Sequence, residues 1–141
     1  MTEFRTFCQI PASAQTVFAA FQDPARLARW WGPDGFTNTI TLCEFRPGGK
    51  WSLVMHGPDG ANYPNESVFA EVVEPSLVVV EHLSMPVFRL TIALTTVGGG
   101  TRVDWTQAFE DDAVAQAMKP IVLVANDQNL ARLTAEVASR Q

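Results

Sequence analysis

Cysteine, histidine and basic residues are scarce in this sequence, and each scarcity closes off a class of chemistry. The 141 residues include two cysteines and two histidines. Cys8 and Cys43 fall in strand-like segments without CxxC spacing, so they read as small buried hydrophobes rather than a disulfide or part of a metal site. His56 precedes a Gly-Pro-Asp-Gly turn and His82 precedes Leu83-Ser84-Met85-Pro86; neither has a second His or a Cys at ligand spacing. Both are expected at exposed or edge positions, outside metal binding or acid–base work. Ten Lys and Arg residues stand singly against fifteen acidic ones, for a net charge of −5. Without a basic stripe to neutralise phosphates, nucleic acid is excluded as a partner. No basic-then-apolar leader opens the chain and no apolar run reaches the roughly 18 residues of a membrane span, so a cytoplasmic protein with no membrane partner is expected. A nucleophile with its base, or a paired set of carboxylates, is also absent at recognisable spacing. Gly98-Gly99-Gly100 lies between strand-like runs with no GK[ST] and no helix behind it, which makes it a hairpin turn and not a phosphate loop. No metal, cofactor or catalytic residue is expected on these grounds.

What is present is a strong alternation of patterns. Phe4, Thr6, Cys8 and Ile10 alternate with Glu3, Arg5, Phe7 and Gln9, the period of a strand. Ser13 can cap a short helix in which Val17, Phe18 and Phe21 share a face, and Asp23-Pro24 starts a second one. That helix runs into Trp30-Trp31-Gly32-Pro33-Asp34-Gly35-Phe36-Thr37, where an apolar helix end must turn sharply into a strand. Trp31 is expected to anchor this corner. From Thr37 to Phe109 short turn clusters separate about six strands, and such connections join antiparallel neighbours. Pro64 suggests an irregular entry to its strand over 62–65. Glu44, Glu66 and Glu81 read as surface residues within strands, with Glu81 facing Arg89 across a hairpin centred on Met85. After Asp111-Asp112 the period becomes helical, with Pro120 either kinking the helix or starting it, and the helix continues to about Ser139.

A curved antiparallel sheet followed by one long helix buries its concave face against that helix, because each element has one apolar side. On the helix Val122, Asn126, Asn129, Leu133 and Val137 share a face. An unpaired amide in an apolar interior costs on the order of 1–3 kcal/mol, so Asn126 and Asn129 must find partners. They either bond sheet backbone or each other, or they line a pocket and meet water or a polar ligand. Gln107 poses the same question, since it shares a strand face with Val103, Trp105 and Phe109. Trp51, Leu53 and Met55 form the inner face of another strand, composed either as plain core or as an adaptable apolar ligand site. Trp51, Leu53, Met55, Trp105, Gln107, Asn126, Asn129 and Leu133 are therefore the candidate ligand-binding residues.

Six segments in order carry a family likeness: Trp30 to Thr37, Phe45 to Trp51, Met55 to Gly60, Phe69 to Pro75, Gly100 to Trp105 and Asn126 to Leu133. Together they resemble the START-like (SRPBCC) superfamily, and within it the branch homologous to the activator of heat-shock chaperone ATPase. The resemblance implies an α+β helix-grip fold over residues 1–141, read as one domain. Its sheet of about six or seven strands wraps a long C-terminal helix, with two short helices after the first strand. It also implies a cavity between sheet and helix for a small apolar or amphipathic molecule. Two other functions follow from it: a protein–protein module like the domain that stimulates the chaperone ATPase, and an enzyme of the cyclase or hydrolase type. The chain shows no counterpart of the activator's separate amino-terminal domain, which ranks the module second. The enzyme would require a dyad that the sequence does not show. A homodimer is expected from the resemblance and from an apolar content of 47%.

Overall fold

Three side-chain caps start the helices. In the computed structural model, which describes residues 1–140, strand β1 (Thr2–Ile10) leads into helix α1 (Ala14–Gln22). Ser13 accepts the Thr16 N–H at 3.1 Å and starts α1. Asp23 accepts the Ala25 N–H at 2.9 Å and starts α2 (Pro24–Trp30). Strands β2 (Thr37–Cys43), β3 (Lys50–His56), β4 (Asn62–Val73), β5 (Leu77–His82), β6 (Phe88–Val97) and β7 (Gly100–Phe109) then meander, and helix α3 (Asp112–Ala138) closes the chain. The seven strands order as β1-β7-β6-β5-β4-β3-β2, with every neighbouring pair antiparallel. This is the helix-grip fold: the sheet curls round α3, whose inner face carries buried Val122, Asn129, Leu130, Leu133 and Val137. The facing side of the sheet supplies Trp51, Phe69, Val80, Ile92, Val103 and Trp105, all buried.

Four expectations change. Helix α3 starts at Asp112 and not near Pro120, because Asp111 accepts the N–H groups of Ala113 (2.9 Å) and Val114 (3.1 Å). Pro120 is accommodated inside the helix on its exposed side, and Gln116, whose carbonyl it cannot serve, is an exposed residue too. The segment 62–65 is no irregular entry but regular strand, with Pro64 opposite Val54. β5 pairs with β4 only from Ser67 onward, so Pro64 sits where β4 has one strand neighbour, and proline is tolerated there. Glu44 lies just beyond β2 and not within a strand; its carboxylate accepts the Lys50 N–H at 2.9 Å and closes the turn to β3. A Cβ on Gly49 would stand 1.8 Å from the Glu44 carbonyl oxygen, so only glycine fits that turn. The fourth correction concerns the tryptophan pair. Trp30, at 1% exposure, is the buried anchor of the corner, donating to the Ala20 carbonyl at 3.0 Å and meeting Phe21 edge-on at 4.9 Å. Trp31 is only half-buried. Glu81 does pair with Arg89 across the β5–β6 hairpin.

One buried ion cluster, invisible to the pattern reading, ties α3 to α2. Glu136 accepts from Arg26 at 2.9 Å, Arg29 at 3.0 Å and Arg140 at 3.3 Å, with its side chain 7% exposed. Burial alone would raise its pKa, but the bonds from Arg29, Arg26 and Arg140 outweigh burial and hold the carboxyl below its usual value. A carboxylate depressed in this way stabilises the fold above its unfolded pKa of about 4.3, and the contribution fades as pH falls through the lower folded value. Glu136→Gln is expected to cost about 3 kcal/mol at neutral pH, since it strips the counter-charge from buried Arg26. Urea denaturation of both proteins should show this gap narrowing as pH is lowered to about 3. A gap that stays constant would mean the charge of Glu136 contributes nothing.

Candidate functional site: a cavity under the long helix

The helix-to-strand corner is held by α3. The Arg132 guanidinium donates through Nη1 to the carbonyls of Trp31 (3.1 Å), Gly32 (2.9 Å) and Pro33 (2.8 Å). Through Nη2 it reaches those of Arg29 (2.8 Å) and Phe36 (3.0 Å). One turn earlier on the helix, Asn129 donates to the Trp30 carbonyl at 2.8 Å and accepts the Gly32 N–H at 3.1 Å. Gln128 accepts the Asp34 N–H at 3.1 Å. Gly32 has φ +93°, a left-handed conformation that calls for glycine.

Pinned in this way, the corner walls one side of a cavity of about 390 Å³ between the sheet and α3. Its floor is an indole cluster: Trp31 lies 4.8 Å from Trp51 and 5.8 Å from Trp105 between ring centroids. Trp51 in turn stacks on Phe69 at 5.2 Å and 10°. Leu53, Met55, Val80, Phe88 and Leu90 make apolar walls, while exposed Tyr63, Pro64 and Met85 stand at the rim. Among the described residues, no Asp, Glu, Lys or Arg lines the cavity.

Seven of the eight residues picked from sequence stand in this wall: Trp51, Leu53, Met55, Trp105, Gln107, Asn126 and Asn129. The eighth, Leu133, is fully buried in the core and does not reach the cavity. The polar ones have partners. Asn126 Nδ2 donates to Gln107 Oε1 at 3.0 Å, and Asn129 is consumed at both amide atoms by the corner backbone. By contrast, the indole N–H groups of Trp51 and Trp105 are buried with no hydrogen-bond partner among the described residues.

His82 is the wall residue that sequence reasoning misplaced. Far from an exposed edge, it is 7% exposed, stacks on Phe88 at 4.4 Å, and lines the cavity. Its Nδ1 meets the Pro86 carbonyl at 2.7 Å and its Nε2 the Asn65 amide oxygen at 2.5 Å. Burial pushes its pKa down against the opposing pull of the Pro86 and Ser84 backbone. The signal for this position was parity, because His82 continues the inner-face series Val78, Val80. His56 remains half-exposed at the hairpin end, bonded to Thr39 at 2.8 Å and Asn62 at 2.6 Å. Cys8 and Cys43 are free and half-buried against the core, and burial pushes both thiols up. Among the described residues, no three His, Cys, Asp or Glu side chains gather as a metal site would need, and no helix is long and apolar enough to cross a membrane.

The curled sheet, the gripped helix and the cavity between them define a helix-grip protein of the START-like superfamily. The family described as activator of Hsp90 ATPase homolog 1-like protein matches residues 11–138, and this chain belongs to it. No curated protein matches the sequence. Among solved structures, a protein from Arthrobacter aurescens is 24% identical, with a TM-score of 0.89 over 97% of this chain and 86% of its own. A protein from Nitrosomonas europaea is 17% identical, with a TM-score of 0.88 over 99% and 96%. An AHSA1-like protein from Aeromonas hydrophila is 20% identical, with a TM-score of 0.77 over 99% and 94%. At these identities the likeness is one of fold.

The double use of Asn129 makes a specific prediction. Asn129→Leu leaves the Trp30 carbonyl and the Gly32 N–H buried without partners, at roughly 1–3 kcal/mol each, so the variant should lose about 2–4 kcal/mol in chemical denaturation. A loss below about 0.5 kcal/mol, the usual range of surface substitutions, would show that the corner does not depend on this amide.

Proposed function

We propose that this protein binds a small, mainly apolar molecule in the cavity between its sheet and α3. Trp51, Leu53, Met55, Trp105, Gln107, Asn126 and Asn129 form the wall of that site, with Leu133 packing behind it. The observation that carries this reading is the cavity itself. Its volume of about 390 Å³ falls within the roughly 300–1,000 Å³ of small-molecule sites, and such sites are mostly apolar with a few placed polar groups. A cavity of this size within a core costs stability wherever it is not filled, since cavity-lining atoms forfeit their packing partners.

The family relationship supports a second reading, a protein–protein module, and one surface feature favours it. On α3, Ile121 and Val124 are 67% and 58% exposed, more than a helix facing only water needs. The same residues could serve the homodimer expected from composition. A cytoplasmic location fits either reading.

A neutral fluorescent apolar probe, N-phenylnaphthylamine, tests the first reading. It should bind and draw energy from the tryptophan emission, because the indole cluster forms the floor of the cavity. Ala125→Trp, which fills the cavity from the α3 side, should abolish that transfer while circular dichroism stays unchanged. Unaltered probe binding in this variant would place the probe elsewhere and remove the cavity reading. Native mass spectrometry of freshly purified protein should show a mass above the bare chain, whereas bare chain together with a chaperone complex would favour the module.

A further inference from the structure

The polar side chains of the cavity wall differ in whether the protein already uses them. Asn129 spends both amide atoms on the corner, Asn65 spends its own on His82 and on the Tyr63 carbonyl, and His82 has both ring nitrogens engaged. Asn62 and Tyr63 are exposed at the rim. The Trp51 and Trp105 N–H groups are sealed by the atoms around them and cannot be reached from the cavity. Trp31, half-buried, keeps an open N–H that can only donate. Two well-buried groups remain. Ser67 is 4% exposed and lines the cavity; its hydroxyl bonds nothing among the described residues, yet it is not sealed. Gln107 is 8% exposed, and only one atom of its amide is used, in the bond with Asn126. Its other amide atom is open in the same way.

The two groups stand on opposite sides of the cavity. Ser67 on β4 pairs with His82 on β5, and Gln107 on β7 pairs with Leu90 on β6. Three strand spacings separate β4 from β7, about 14 Å along the sheet and less across its concave face. Between them the wall is made apolar by Val80, Phe88 and Leu90. Resting on the ligand-binding reading above, we infer that the cavity takes an uncharged molecule with a hydroxyl group at each of two separated ends and an apolar body between them, one hydroxyl meeting Ser67 and the other the Gln107–Asn126 pair. A hydroxyl both donates and accepts. It therefore suits the serine, and it suits Gln107 whichever way round the amide stands, because the free atom is a donor in one orientation and an acceptor in the other. A carbonyl could only accept. An ionised end would be buried with no opposite charge to offset its lost hydration, since among the described residues no Asp, Glu, Lys or Arg lines the cavity. Ordered water can serve the same two groups, so a ligand without hydroxyls would displace that water and lose its bonds.

Three probes test this by calorimetry: biphenyl, biphenyl with a para hydroxyl on one ring, and biphenyl with a para hydroxyl on each ring. Each added hydroxyl should tighten binding about two- to tenfold, the gain expected of one net hydrogen bond. Ser67→Ala removes a hydroxyl that bonds nothing in the protein, so the fold should be kept, with circular dichroism as the check. In that variant the preference for the diol over biphenyl should shrink about two- to tenfold. Gln107→Met should shrink it by a similar factor; if that variant does not fold, the ratio of diol to single alcohol in the unchanged protein still reports whether a second hydroxyl is held. A single alcohol binding as tightly as the diol would overturn the two-ended ligand. A diol no tighter than biphenyl, or a preference that Ser67→Ala leaves alone, would overturn the inference while leaving the binding function standing. If none of the three binds, the ligand-binding reading fails and takes this inference with it.

Discussion

The structure depends most on how the backbone of one corner is satisfied. Between Arg29 and Phe36 the chain leaves a helix and enters a strand through a left-handed glycine and a proline, and it makes few hydrogen bonds of its own there. Buried carbonyls without partners would cost about 1–3 kcal/mol each. Helix α3 removes that cost: Arg132 serves five carbonyls, and Asn129 serves one carbonyl and one N–H. A lysine could not do this, because the reach to several diverging acceptors uses the planar fork of the guanidinium.

The same contacts set the distance between α3 and the corner, and so the width of the cavity. With Trp30 locked into the core and the chain turned at Gly32, Trp31 has nowhere to go but the cavity floor, against Trp51 and Trp105. One turn further along α3 than Arg132, Glu136 ties the helix to α2 through Arg26 and Arg29. The C-terminal half of the helix is thus held by groups between Arg26 and Phe36, and the space between α3 and the sheet is filled by side chains only in part. The wall that results is rich in aromatic side chains, and among the described residues no Asp, Glu, Lys or Arg stands in it.

Family and function separate cleanly in this protein. The match over residues 11–138 and the architecture shared with the solved structures establish family and fold. The chemistry of the cavity rests on the indole cluster, the Asn126–Gln107 pair and a lining without Asp, Glu, Lys or Arg among the described residues. One fold can host many ligands through changes at such positions, so what this chain binds has to be argued from its wall and not from its relatives.

Much of the fold could be read in the sequence because it follows from local rules. Strand alternation, the Ser13 and Asp23 caps and the turn clusters act within a few residues, and so did the parity that put Trp51, Leu53 and Met55 on one face and Trp105 with Gln107 on another. The start of α3 was misread for a local reason too: the penalty of Pro120 was weighed without knowing that its side of the helix faces water. The remainder depended on partners far apart in the chain. Nothing near Asn129 in the sequence says that its amide belongs to the backbone of Trp30 and Gly32, ninety-nine and ninety-seven residues away. Nor does any local pattern distinguish Trp30 from Trp31 or reveal Glu136 among its arginines. Periodicity determines which side of an element faces inward; only the tertiary structure decides whether an inward polar group meets protein or empty space, because that depends on where a distant backbone happens to need a bond.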